Sequence, residues 1–201
     1  LDRNEETEHR VEETSSTTTV LPQKRVNKPN APSPKTLEIV SVGSFVALSG
    51  YYLDKTAFIS KIEDLNAPAI LSLRPRRFGK TLFLSTLSSY YDIKNRERFE
   101  RLFGNLYIGK NPTKLASSFL VLELNFAGLR TNETYENFNA NFHAILNTDI
   151  SKFMYRYKKE LGNHFEVIDI KDDALVNFKK LLDMVELSDN KLYVCIDEYD
   201  A

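Results

Sequence analysis

The sequence predicts an α/β protein, a mostly parallel sheet flanked by helices, and three observations predict it. Apolar runs of strand length recur at 69–73, 119–126 and 191–196. Helical spacing of apolar residues fills the intervals between them. The first and last runs lead directly into basic and acidic residues, and open α/β sheets bind ligands at the C-terminal ends of their strands.

The 201 residues are 42% hydrophobic and 27% charged, enough for one domain with a sizeable core. A formal net charge of -1 gives no basic field for nucleic acid, so none is expected as a partner. No apolar run reaches the roughly 18 residues of a membrane span. The single Cys195 forms no internal disulfide and suits a reducing, intracellular setting, cytoplasm or nucleus. The chain opens on Leu1 and stops at Ala201 in mid-pattern, and it is expected to be a fragment.

Residues 1–36 are rich in Glu, Thr, Ser, Lys and Pro, without an aromatic residue or glycine. Such a segment buries too little apolar area to offset its chain entropy, and a disordered tail is expected. The stretch from Gln23 to Lys28 reads as a solvated basic linker or a nuclear-import patch. The folded domain is expected over 37–201. Residues 37–50 lean apolar and suit a short strand or a docking segment.

Asp54 is placed to cap a helix through Phe58, Ile59, Ile62 and Leu65. This element reads either as a cover for a nucleotide base or as an ordinary capped helix on the domain edge.

Ala69–Leu73 is then the expected first sheet strand, followed by Arg74-Pro75-Arg76-Arg77-Phe78-Gly79-Lys80-Thr81-Leu82. Strand, tight basic loop and helix start form the layout of a phosphate-binding loop. A helix N-terminus offers free N–H groups and partial positive charge. Gly79 lets backbone approach closely, Lys80 reaches terminal phosphates, and the Thr81 hydroxyl suits Mg²⁺. Arg76, Arg77, Phe78 and Leu82 complete the expected nucleotide contacts. The first glycine of the usual G-x-x-x-x-G-K-[ST] pattern is replaced by Arg74.

After this loop, Phe83, Leu84, Leu87, Tyr90 and Tyr91 give a helix with one apolar face. A second helix over 95–102 ends at Gly104, and 108–112 reads as a turn. Phe119–Phe126 is a buried strand. Asn132 opens a long helical stripe from Tyr135 to Tyr157. The stretch 167–170 is ambiguous, and Asp172 or Asp173 caps the next helix.

Lys191–Ile196 is expected to be a buried parallel strand ending in Asp197-Glu198. There Asp197 is placed for Mg²⁺ and Glu198 for polarising an attacking water. His9, His143 and His164 have no second ligand at metal spacing and read as surface or packed residues. Cys195 reads as a small core residue.

Three stretches together, Tyr51-Tyr52-Leu53-Asp54-Lys55-Thr56, Leu73 to Leu82, and Ile196-Asp197-Glu198-Tyr199-Asp200, resemble the AAA-ATPase-like family of P-loop proteins. Related loops occur in Crinkler-type effectors and archaeal-type STAND ATPases. The resemblance covers about residues 45–201 and includes the Arg74-Pro75 form of the loop. It implies an additional-Glu P-loop core that binds ATP with Mg²⁺ and hydrolyses it to drive a conformational or assembly change. Self-association is a further implied possibility. It also implies fourth and fifth strands beyond Ala201, so the sheet is expected to be incomplete. The alternative is a nucleotide-dependent switch, scaffold or effector with little turnover, coupled to a nuclease-like domain outside this chain.

Overall fold

The middle layer is a parallel pair of strands, β3 (Leu120–Asn125) and β4 (Leu192–Asp197), in register from Leu120 opposite Leu192 to Asn125 opposite Asp197. The computed structural model describes residues 37–41, 44–48, 53–73, 75 and 77–199. The expected tail over 1–36 lies outside the described residues, as do Tyr51, Tyr52, Arg74, Arg76 and Asp200.

Before this sheet come β1 (Leu37–Ser41) and β2 (Ser44–Leu48), an antiparallel hairpin and a separate sheet. A short strand or a docking segment was expected here, and two strands form. Then follow α1 (Ala57–Asp64), α2 (Lys80–Tyr91), a 3₁₀ turn over 93–98, α3 (Phe99–Phe103) and α4 (Tyr107–Lys110). The last of these replaces the turn expected at 108–112. Between β3 and β4 lie α5 (Tyr135–Arg156), α6 (Lys158–Leu161) and α7 (Ala174–Leu187). Parallel strands need such a crossover, because no tight turn can join them.

Alternation along β3 explains the layers. Leu120, Leu122 and Leu124 face one way and pack with Leu146, Ile150 and Phe153 of α5 and Leu181 and Val185 of α7. Val121 faces the other way with Cys195, against Leu87, Tyr90 and Tyr91 of α2. Each buried Leu or Ile contributes about 1.5–3 kcal/mol. β4 was expected to be a buried strand, but Val194 and Ile196 are 39% and 47% exposed. α5 and α7 cover β3, and their apolar stripe does not extend across to these two side chains.

The expected first strand, 69–73, does not form: Ile70, Leu71 and Leu73 are 47%, 65% and 73% exposed. A strand exists through ladder hydrogen bonds. Among the described residues neither β3 nor β4 pairs with this stretch.

Capping chemistry sets the long helices. The Thr134 hydroxyl accepts from Asn137 N–H at the start of α5, two residues after the expected Asn132. Asp173 accepts from Leu175 and Val176 N–H groups at the start of α7. The ambiguous 167–170 stretch is loop. Buried Asn147 and Asn177 bond each other and take the carbonyls of Asp169, Ile170 and Asp172, which fastens this loop without a strand.

One network ties the layers at the N-terminal edge of the sheet. Asp92, buried at the end of α2, pairs with the Arg156 guanidinium at the end of α5. Arg156 Nε donates to the Tyr157 hydroxyl, which accepts from Val121 N–H of β3 at 3.1 Å. Further along, the Asp149 carboxylate accepts from Asn125 N–H at 3.4 Å. Two donors on the side of β3 turned away from β4, Val121 N–H and Asn125 N–H, are thus taken by α5 and its C-terminal extension. Burial, the largest effect, pushes the Tyr157 phenol up, so it stays a neutral hydrogen-bonding group. Tyr157→Phe leaves the Val121 N–H unmatched in the core. It is expected to lower unfolding free energy by about 1–3 kcal/mol in urea titration.

Candidate functional site

The sequence of the 75–82 loop dictates its shape through one glycine. Gly79 takes φ 76° and ψ 32°, the left-handed region that only glycine enters freely, and α2 starts at the next residue. The Gly79 carbonyl accepts from Phe83 N–H at 3.0 Å and so begins the helical ladder. Phe78 N–H donates to the Pro75 carbonyl at 3.4 Å, closing the loop behind it. Lys80 is the first residue of α2, and Thr81 and Leu82 lie in its first turn.

α2 runs against the direction of the strands. Its last residue, Tyr91, accepts from Phe119 N–H just before β3. Its start therefore lies toward the other edge, where β3 and β4 end. There Thr81 and Asp197 line one cleft of about 320 Å³, together with Ser85, Glu123, Asp149 and Lys152. Asp197 closes β4 and accepts from Glu198 N–H through Oδ1 at 3.1 Å. A hydroxyl and a carboxylate are hard oxygen donors, suited to Mg²⁺ that also keeps waters and phosphate oxygens. The residues present fit that ion. Among the described residues no group of three or more His, Cys, Asp or Glu side chains is arranged to hold a metal.

The other expected residues are placed less uniformly. Phe78 and Arg77 are exposed beside the loop, and Arg76 lies outside the described residues. Glu198 is exposed and is not among the residues lining the cleft. Both Arg77 and Glu198 adopt positive φ, 68° and 53°. Asn66 and Asp189 share this conformation and tolerate it, but Arg and Glu do not favour it. Backbone strain thus falls within each of the two motifs, a pattern common at functional sites.

Glu123, Asp149 and Lys152 are among the cleft residues that were not anticipated. Glu123 interrupts the apolar run of β3, and its carboxylate accepts from Ser88 of α2. A lone carboxylate inside an apolar strand was the available signal. Asp149 and Lys152, paired at 2.9 Å, come from the middle of α5, where nothing in the periodicity marks them.

Asp54 was expected to cap α1. Its Oδ1 instead accepts from Thr56 N–H and hydroxyl at 2.9 and 2.6 Å, while Oδ2 accepts from Tyr107 N–H at 2.8 Å. The carboxylate is too far ahead of the helix to reach its free donors, so it builds a turn and ties that turn to α4. The position preceding α1 is Thr56, which makes no side-chain cap.

Cys195 is buried, and burial pushes its thiol up to about 12, with the Glu123 carboxylate adding to the effect. The neutral thiol is a core group, not a nucleophile.

These observations define an α/β protein with a helix N-terminus and an acidic strand end brought to one cleft. The model of the AAA-ATPase-like family, described as a predicted AAA-ATPase, matches residues 39–201, and the chain belongs to this family. Membership implies nucleotide binding. No curated protein and no solved structure matches the chain significantly. Among the described residues no helix is long and apolar enough to cross a membrane.

Two outcomes follow from the local chemistry. Gly79→Ala forces a Cβ into left-handed backbone and is expected to cost about 1–2 kcal/mol, read as a lowered thermal midpoint. Cys195 is expected to alkylate about 100-fold more slowly at pH 8 in the native chain than in denaturant. The raised thiol pKa leaves stability intact at neutral pH, where the thiol is protonated in both states, and stability is lost as pH climbs from the ordinary thiol range toward about 12.

Proposed function

We propose that this chain binds ATP at the N-terminus of α2 and hydrolyses it with Mg²⁺, driving a conformational or assembly change. The observation that carries this reading is the shared cleft of Thr81 and Asp197, two residues far apart in sequence and each expected beside the same ion. Family membership supports the nucleotide.

In this reading the N–H groups of Gly79 to Leu82 and the Lys80 ammonium hold phosphate oxygens. Thr81 and Asp197 hold the magnesium, which neutralises phosphate charge and orients it. Glu198 accepts the proton of the attacking water. Arg77 and Arg76 lie on the loop that carries these groups, and their targets are phosphate or a neighbouring subunit.

The second reading, a nucleotide-dependent switch with little turnover, is favoured by one feature. Glu198 is exposed and outside the cleft that Asp197 lines. Single-turnover hydrolysis separates the two readings.

Lys80→Ala is expected to abolish ATP binding in titration calorimetry, and unchanged affinity would overturn the site. Glu198→Gln is expected to keep ATP affinity while slowing hydrolysis about 100-fold or more. Hydrolysis at the native rate would remove Glu198 from the chemistry and leave binding in place.

A further inference from the structure

Lys55 lies in the stretch ahead of α1, away from the loop in sequence, yet its Nζ donates to the Phe78 carbonyl at 3.2 Å. The same Nζ is 3.7 Å from where a Cβ on Gly79 would begin. The ammonium is therefore seated against the turn that opens α2.

Its neighbours hold it there. Asp54 is fastened to Thr56 and to Tyr107 N–H of α4. Thr56 is fully buried, and its hydroxyl accepts from Ile108 N–H at 3.2 Å. The Lys55 carbonyl accepts from Phe58 N–H at 3.0 Å, which joins the residue to α1 as well. Holding the long side chain still costs rotamer freedom, and the fixed backbone spares only the main-chain share.

The consequence lies in the peptide that joins Phe78 to Gly79. A trans peptide is planar, and its C=O and N–H point in opposite directions. Fixing the Phe78 oxygen fixes the direction of the Gly79 N–H, one of the donors that the loop offers to phosphate. The bond is charge-assisted and stronger than a neutral one. Lys55 and Lys80 also bring two positive charges to the positive end of α2. These repel one another, and an anion relieves the repulsion.

We propose that Lys55 is a positioning residue for nucleotide binding, orienting the Phe78–Gly79 peptide so that its N–H meets a nucleotide phosphate. This rests on the ATP reading of the loop. ATP and ADP share the phosphates that the first turn of α2 contacts, so both feel the loss.

The test uses the full chain with MgATP and MgADP as probes, and native, Lys55→Met and Lys55→Arg proteins of matched thermal midpoint. Lys55→Met is expected to weaken both nucleotides by about tenfold or more. Lys55→Arg, which keeps a charged donor, is expected to recover most of that loss. Without nucleotide, the Gly79 amide resonance is expected to move in Lys55→Met and return toward its native position in Lys55→Arg. A merely structural lysine would give neither the rescue nor the local shift. Should Lys55→Met fail to fold, Lys55→Gln, uncharged with a similar stem, replaces it with the same expected loss.

Native affinity in Lys55→Met overturns the positioning role and leaves the ATP reading standing. An arginine variant no better than methionine also overturns it. A native chain that binds neither nucleotide overturns both.

Discussion

The parallel pairing of β3 with β4 is the constraint on which the rest depends. Its register ends Asn125 level with Asp197, so the acidic strand end is fixed by the ladder and not by a loop. The crossover that parallel strands require supplies α5 and α7, and these cover the leucine face of β3. The opposite face seats α2 through Val121 and Cys195. The direction of α2 then carries Thr81 to the edge where Asp197 ends. A slip of one residue would put Val121 and Cys195 on opposite faces of the sheet and dissolve this meeting.

The two motifs differ in how their backbone is held. Gly79 enters the left-handed region without strain, whereas Arg77 before it does not. A hydrogen bond from Phe78 N–H to Pro75 and another from Lys55 to Phe78 bracket the strained residue on the chain. Glu198 N–H donates to the Asp197 carboxylate, and the carbonyl of the peptide between them accepts from Phe126 N–H at 3.2 Å. The loop is thus braced by a lysine side chain from ahead of α1, and the acidic turn by its own carboxylate and by the backbone that follows β3.

Most of the helices were legible because their signals are local. The apolar spacing after Thr81 and from Tyr135 to Tyr157 gives α2 and α5, and Asp173 marks the start of α7. β3 and β4 were legible as apolar runs between helical stretches. What was not legible depends on pairing between distant segments. Ile70, Leu71 and Leu73 have strand composition, but no described partner accepts them, and composition cannot supply a ladder. Val194 and Ile196 read as buried for the same reason: their burial depends on how far α5 and α7 reach. Asp54 read as a cap from sequence, but its carboxylate lies too far ahead of α1 and is taken by Thr56 and by Tyr107 N–H, far along the chain. At the site, Thr81 and Asp197 were legible from motif chemistry. Glu123, Asp149 and Lys152 come from elements whose sequence speaks of packing alone.

α5 has an uneven hold on the molecule. Residues 135–140 are nearly all exposed, while Leu146, Ile150, Phe153 and Met154 are in the core. Asp149 and the adjoining Tyr157, which accept from Asn125 and Val121 N–H of β3, belong to the buried half. The helix can therefore unwind from its first turns without breaking either bond to β3. Local opening and the tie to the sheet are separated along one helix: fluctuation is spent at the exposed end, and the bonds from Val121 and Asn125 open only with the core.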